Sequence, residues 1–144
     1  MNRPNSTALD PVTLEILWTR MISMVDEAAA TFVRTSFSTL VRDANDFAVV
    51  LTDRHGRSIA QSTRSIPSFI STMPRTIGHF IDEFGIDGMR DGDAYVTNDP
   101  WLGSGHLNDA SLAMPIMREG EFIGFVGVVS DLPDVGGRLR NPAN

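Results

Sequence analysis

The chain has 144 residues, 42% of them hydrophobic, enough for one domain that buries roughly two-thirds of the surface its unfolded form exposes. It contains no cysteine, which removes disulfides, thiolate metal sites and cysteine nucleophiles, and is compatible with the cytoplasm, where the chain is expected. A net charge of −6 without a basic run excludes a general nucleic-acid binder, and all twelve basic residues are Arg, so no P-loop or Schiff-base lysine exists.

The N-terminus MNRPNSTALDP is polar and lacks an apolar core, so it is not a signal peptide. No run of about 18 apolar residues occurs, and no membrane span is expected. Residues 1–9 read as a flexible tail. Asp10-Pro11 then reads as a helix start, with Asp as N-cap and Pro at the first helical position. Leu14, Leu17, Met21, Met24, Val25, Ala28 and Phe32 recur at helical spacing and predict one long helix over about 11–36. "DFAVVLTDRHGRSIAQS" predicts a hairpin turning at Asp53 to Gly56. "IPSFISTMP" reads as a loop, and Pro74 opens a second helix closed by Gly85. "DAYVTND", "ASLAMPIM" and "EFIGFVGVVS" read as three further strands, the last two joined by "REGE". The expected class is α+β with an antiparallel or mixed sheet. "GRLRNPAN" follows a strongly β segment with nothing to pack beside it, so strand 121–130 is expected at a sheet edge, in a truncated piece of a larger fold. Self-association or a C-terminal companion chain follows from that expectation.

"TNDPWLGSGHLNDASL", residues 97–112, is the segment with most chemical character. His106 and Asp109 are three apart in a loop that Gly103 and Gly105 shape. Imidazole and carboxylate together suit Zn²⁺, Mn²⁺ or Fe²⁺, whereas loop hydrogen bonding explains the same pair without an ion. Asp46 heads a strand, and Asp131 and Asp134 precede a Gly-Gly turn; each is a ligand or a turn residue. Asp99-Pro100 reads as a turn, His55 as a solvated hairpin tip, and His79 as a surface or partly buried helical residue. Met21, Met24, Met114 and Met117 read as core, and Arg34 and Arg42 as surface ion-pair partners.

Several motifs occur together and in order: "DPVTLEIL", "RTSFSTLVRDANDFAVVLTDRHGRSIAQ", "IPSFISTMP", "GDAYVTNDPWLGSGHLNDASLAMPI" and "DVGG". On these the chain resembles the N-terminal segment, here 10–144, of the hydantoinase B/oxoprolinase family, whose members are several times longer. The resemblance implies a B-type subunit of an ATP-dependent cyclic-amide hydrolase acting on hydantoin, 5-oxoproline or a related lactam. It implies an A-type partner subunit that binds ATP, and a divalent metal (Mn, Zn or Mg) on the B-type subunit. The implied ligands are Asp46, His106, Asp109 and Asp131. Asp131 stands where the family has His, which makes the site harder and favours Mn²⁺ or Mg²⁺ over Zn²⁺. A subunit of an acetone or acetophenone carboxylase and an inactive remnant or interaction module are the alternative readings.

Overall fold

The computed structural model describes residues 9–133. Residues 1–8 of the tail expected at 1–9, and the "DVGG" segment from Asp134 onward, lie outside the described residues.

Helix α1 spans Pro11–Thr35. Asp10 caps it in extended backbone, and its carboxylate accepts the N–H groups of Val12 and Thr13, two of the donors a helix start leaves without partners. The short helix α2 (Thr39–Asp43), capped by Ser38, was not anticipated; it buries Val41. Strands β1 (Phe47–Asp53) and β2 (Ser58–Gln61) form the expected hairpin. Asp53 builds its turn by accepting the N–H groups of His55 and Arg57, and it also pairs with the Arg57 guanidinium at 2.7 Å.

The segment read as a loop is helical. Helix α3 (Pro67–Ile70) and helix α4 (Thr72–Phe84) run through it, because Phe69 and Met73 both reach the core beneath the sheet. Pro74 is the third residue of α4 rather than its first, a position whose N–H has no intrahelical partner in any case. Gly85 closes α4 at φ 67°, and strands β3 (Tyr95–Thr97), β4 (Asp109–Arg118) and β5 (Glu121–Asp131) follow.

All strand pairs are antiparallel, in the order β2-β1-β5-β4-β3. This corrects the expectation for segment 121–130. Strand β5 is central and paired on both sides, and the edges are β2 and β3. Its apolar run is what a strand flanked by two neighbours and covered on both faces needs, not a sign of an open edge. Residues Phe47 to Val50 are all buried because alternate side chains enter different cores. Phe47 and Val49 pack with Val25, Ala29 and Val41 under α1 and α2. Ala48 and Val50 join Met73, Ile77, Phe125 and Val129 under α3 and α4.

Two further expectations fail. Met24 and Met114 are exposed, and Met73 and Met89 take the buried places. Leu14 and Leu17 are also exposed, although they continue the apolar stripe of α1. Arg34 reaches the Thr31 hydroxyl, and neither it nor Arg42 forms an ion pair among the described residues. No helix among the described residues is long and apolar enough to cross a membrane.

Candidate functional site

The start of β1, the end of β5 and the start of β4 meet at one end of the sheet. Asp109 is paired with Asp131, and Phe47 with Ser130. Asp46 therefore arrives beside Asp131, whose N–H donates to the Asp46 carbonyl at 3.3 Å. Asp109 alternates along β4 with Ser111 and Ala113, which places it on the α4 side of the sheet.

His106 comes to the same corner on the loop between β3 and β4. Several contacts hold that loop. The Asp99 carboxylate accepts the Trp101 N–H, and the Asp99 carbonyl accepts those of Leu102 and Gly103, forming the turn expected at Asp99-Pro100. The buried Thr76 hydroxyl on α4 donates to the Leu102 carbonyl at 2.9 Å. Leu132 N–H closes the far side by donating to the Asn108 carbonyl. A Cβ at Gly103 would stand 3.2 Å from the Asp99 carbonyl oxygen, and Gly105 has φ +91°, so both positions suit glycine.

Donor atoms of His106, Asp109 and Asp131 lie within 4.8 Å of one another. His106 Nδ1 is 3.1 Å from Asp109 Oδ1, with the imidazole largely exposed and the carboxylate buried. Asp46, the fourth expected ligand, is not part of this trio, although it lies near enough for their charges to act on it. Burial pushes its carboxyl above the ordinary value of 3.8, and the charges of Asp131 and Asp109 push it further, against a smaller opposing effect of His106. His106 is raised above its ordinary 6.5, first by its hydrogen bond to Asp109 and then by that carboxylate's charge. Asp131 Oδ1 is buried and has no hydrogen-bond partner among the described residues. A buried, unpaired carboxylate oxygen facing other acids costs several kcal/mol, roughly, unless a cation or proton compensates it. The donor set of one imidazole and carboxylate oxygens fits a hard or borderline divalent ion.

Two residues at this corner were not singled out in the sequence. Ser104 touches both His106 and Asp109, and its only sequence signal is its place between two glycines, two residues before the histidine. Asn45 turns the chain into β1 at φ 54°, a conformation Asn adopts more readily than most residues, and so aims Asp46. The other two histidines lie elsewhere. His55 is exposed at the hairpin turn, and His79 is partly buried on α4 with its Nε2 unpartnered among the described residues.

The model of the Hydantoinase B/oxoprolinase family matches residues 10–142. A 5-oxoprolinase of Dictyostelium discoideum is 27% identical over 132 residues, covering 92% of this chain and 10% of that protein. The acetone carboxylase alpha subunit of Xanthobacter autotrophicus is 30% identical over 129 residues, covering 88% of this chain and 16% of that protein. Among solved structures, a nucleotide-free acetone carboxylase from a study of ATP-dependent acetone carboxylation superposes with a TM-score of 0.80 at 29% identity. It covers 90% of this chain and 17% of that one. The chain thus spans less than a quarter of the length of each protein it matches here.

Proposed function

Since the chain belongs to the hydantoinase B/oxoprolinase family, we propose that its sheet-end corner is the divalent-metal centre of a B-type subunit, serving ATP-dependent hydrolysis of a hydantoin, 5-oxoproline or related lactam. The observation that carries this reading is the gathering of donor atoms of His106, Asp109 and Asp131 within 4.8 Å, with Asp131 Oδ1 buried and unpaired among the described residues. Asp46, His106, Asp109 and Asp131 would hold the ion, and their three carboxylates favour Mn²⁺ or Mg²⁺ over Zn²⁺. A bound divalent ion polarises a carbonyl or phosphoryl oxygen and makes its water a better nucleophile.

The chain's own residues supply the rest. His106 Nδ1 and Asp109 Oδ1, 3.1 Å apart, are close enough to share one ion. Asp131 offers an oxygen that no group among the described residues has claimed. In this reading an A-type partner subunit binds ATP and phosphorylates the amide oxygen. The superposition on acetone carboxylase favours a second reading, in which the same centre joins an activated carbon dioxide to a ketone. Reconstitution with an A-type partner, assayed with a lactam and with a ketone plus bicarbonate, separates the two. ATP turnover with neither substrate class would contradict both.

A further inference from the structure

We propose that the open edge of β2 is a docking surface for a second copy of this chain, joined strand to strand across a two-fold axis into one continuous sheet. A groove of about 540 Å³ runs along this edge. Its floor is the free side of Ser58 to Gln61, because β2 pairs with β1 alone among the described residues. Trp18 and Ile22 of α1 wall the groove on one face of the sheet, and Pro67 and Ile70 of α3 wall it on the other.

The occupant follows from charge and from symmetry. Among the described residues, none that lines this groove is charged. Free strand edges normally carry charges that turn other strands away, as Asp82 and Glu83 do in the groove beside β3, the opposite edge. The buried centres of protein interfaces are depleted in charge and rich in aromatic residues, which suits a groove walled by the half-exposed Trp18. The backbone pattern then selects a second copy. Ser62 N–H donates to the Val49 carbonyl and Ala60 pairs with Leu51, so Ala60 and Ser62 turn their backbone groups toward β1. Ile59 and Gln61 alternate with them and turn theirs outward. A two-fold axis normal to the sheet at Ala60 sets Ile59 against the partner's Gln61, and Gln61 against the partner's Ile59, in antiparallel register. Both pairs then exchange their backbone hydrogen bonds, and Ala60 meets the partner's Ala60 in the close pair between them. The same axis keeps both α1 helices on one face of the joined sheet, where each Trp18 flanks the new strand pair.

Sedimentation velocity of the chain, without added metal, tests this. The wild type is expected to be a dimer at about 100 µM, as suits an interface at the small end of the specific range. Ile59→Lys should raise the dimer dissociation constant at least about tenfold, because it puts a cation on each side of an uncharged groove. Combining it with Gln61→Glu should restore the constant to within about threefold of wild type, because each new cation then faces the partner's new anion. A register with Ile59 opposite the partner's Ile59 would instead oppose the cations. The chain has no cysteine, so Ala60→Cys reads the same register without any charge. Its thiols would face each other across the axis, and mild oxidation should link two copies faster than in Val96→Cys on the more exposed β3 edge. Should the charged variants fail to fold, the cysteine pair decides alone. A wild type that is monomeric at about 100 µM overturns the proposal. So does a dimer that Ile59→Lys leaves intact, a double variant that associates no better than Ile59→Lys, or a Val96→Cys chain that links at least as fast as Ala60→Cys.

Discussion

Asp109 and Asp131 face each other across β4 and β5, a like-charged cross-strand pair at the last register position of the sheet. Such pairs are normally destabilising. Here Asp46 adds a third acid from the neighbouring strand, and His106 is the imidazole brought against them. The arrangement works against folding unless protons or a cation occupy it, and that conflict sets its behaviour.

The pH response follows from the direction of two shifts. Asp46 and His106 are both raised above their ordinary values, Asp46 by burial first and His106 by its bond to Asp109 first. A raised folded value means that the folded state holds the proton more tightly than the unfolded chain. Each contribution is complete below the unfolded value, 3.8 for Asp46 and 6.5 for His106, and is lost as pH rises through the folded one. A divalent ion replaces those protons, so its stabilisation grows with pH. Thermal melts with and without saturating Mn²⁺ should show a larger gain in Tm at about pH 8 than at about pH 6. Equal gains at both pH values would count against a proton-for-metal exchange at this corner.

Asp131→His should change which metal is preferred. The substitution exchanges a hard oxygen for an imidazole nitrogen and lowers the negative charge of the set by one. Competition calorimetry is expected to show Zn²⁺ gaining at least about tenfold on Mn²⁺ relative to wild type, a difference of about 1.4 kcal/mol. No change in the ratio would place Asp131 outside the ligand set.

Asp26 should matter for stability and not for metal. On α1 it accepts the Ser62 hydroxyl at 2.8 Å, the Thr63 N–H at 2.7 Å and the Thr63 hydroxyl at 3.0 Å, tying the helix to the segment after β2. Burial pushes its carboxyl up, but these bonds and the nearby Arg64 outweigh that and hold it below 3.8. Its contribution is therefore present above the ordinary value and lost as pH falls through the folded one. Asp26→Ala is expected to cost about 1–3 kcal/mol at neutral pH, read from urea unfolding, since it leaves several donors unpaired. Mn²⁺ affinity should stay as in wild type. A stability loss confined to the metal-bound protein would contradict this account.

The elements with strong local signals were legible in the sequence. The cap at Asp10, the long periodic stretch after Pro11 and the turn at Asp53–Gly56 each carry their own chemistry, and each element formed as read. The order of strands was not legible, because β5 lies between β1 and β4 through long-range pairing that no local pattern encodes. Helix α3 was missed for a related reason: its propensity is poor, and the burial of Phe69 makes it helical. At the site, the His106–Asp109 spacing could be read, but its meeting with Asp131 depends on the register that sets Asp109 against Asp131, and the approach of Asp46 on the register that sets Phe47 against Ser130. The family motifs pointed to those residues where spacing alone did not. Ser104 stayed hidden because a serine between glycines reads as an ordinary turn residue.

The central claim is that four side chains from three strand ends and a loop form one metal centre. Calorimetric titration of Mn²⁺ into wild type, His106→Ala and His79→Ala tests it most directly. The account predicts one bound ion per chain in wild type and in His79→Ala, since His79 lies on α4 outside the donor cluster. It predicts that His106→Ala loses most of the affinity, by about 100-fold or more, in line with removal of a direct ligand. Equal binding by His106→Ala and wild type, or equal loss in both histidine variants, would contradict it.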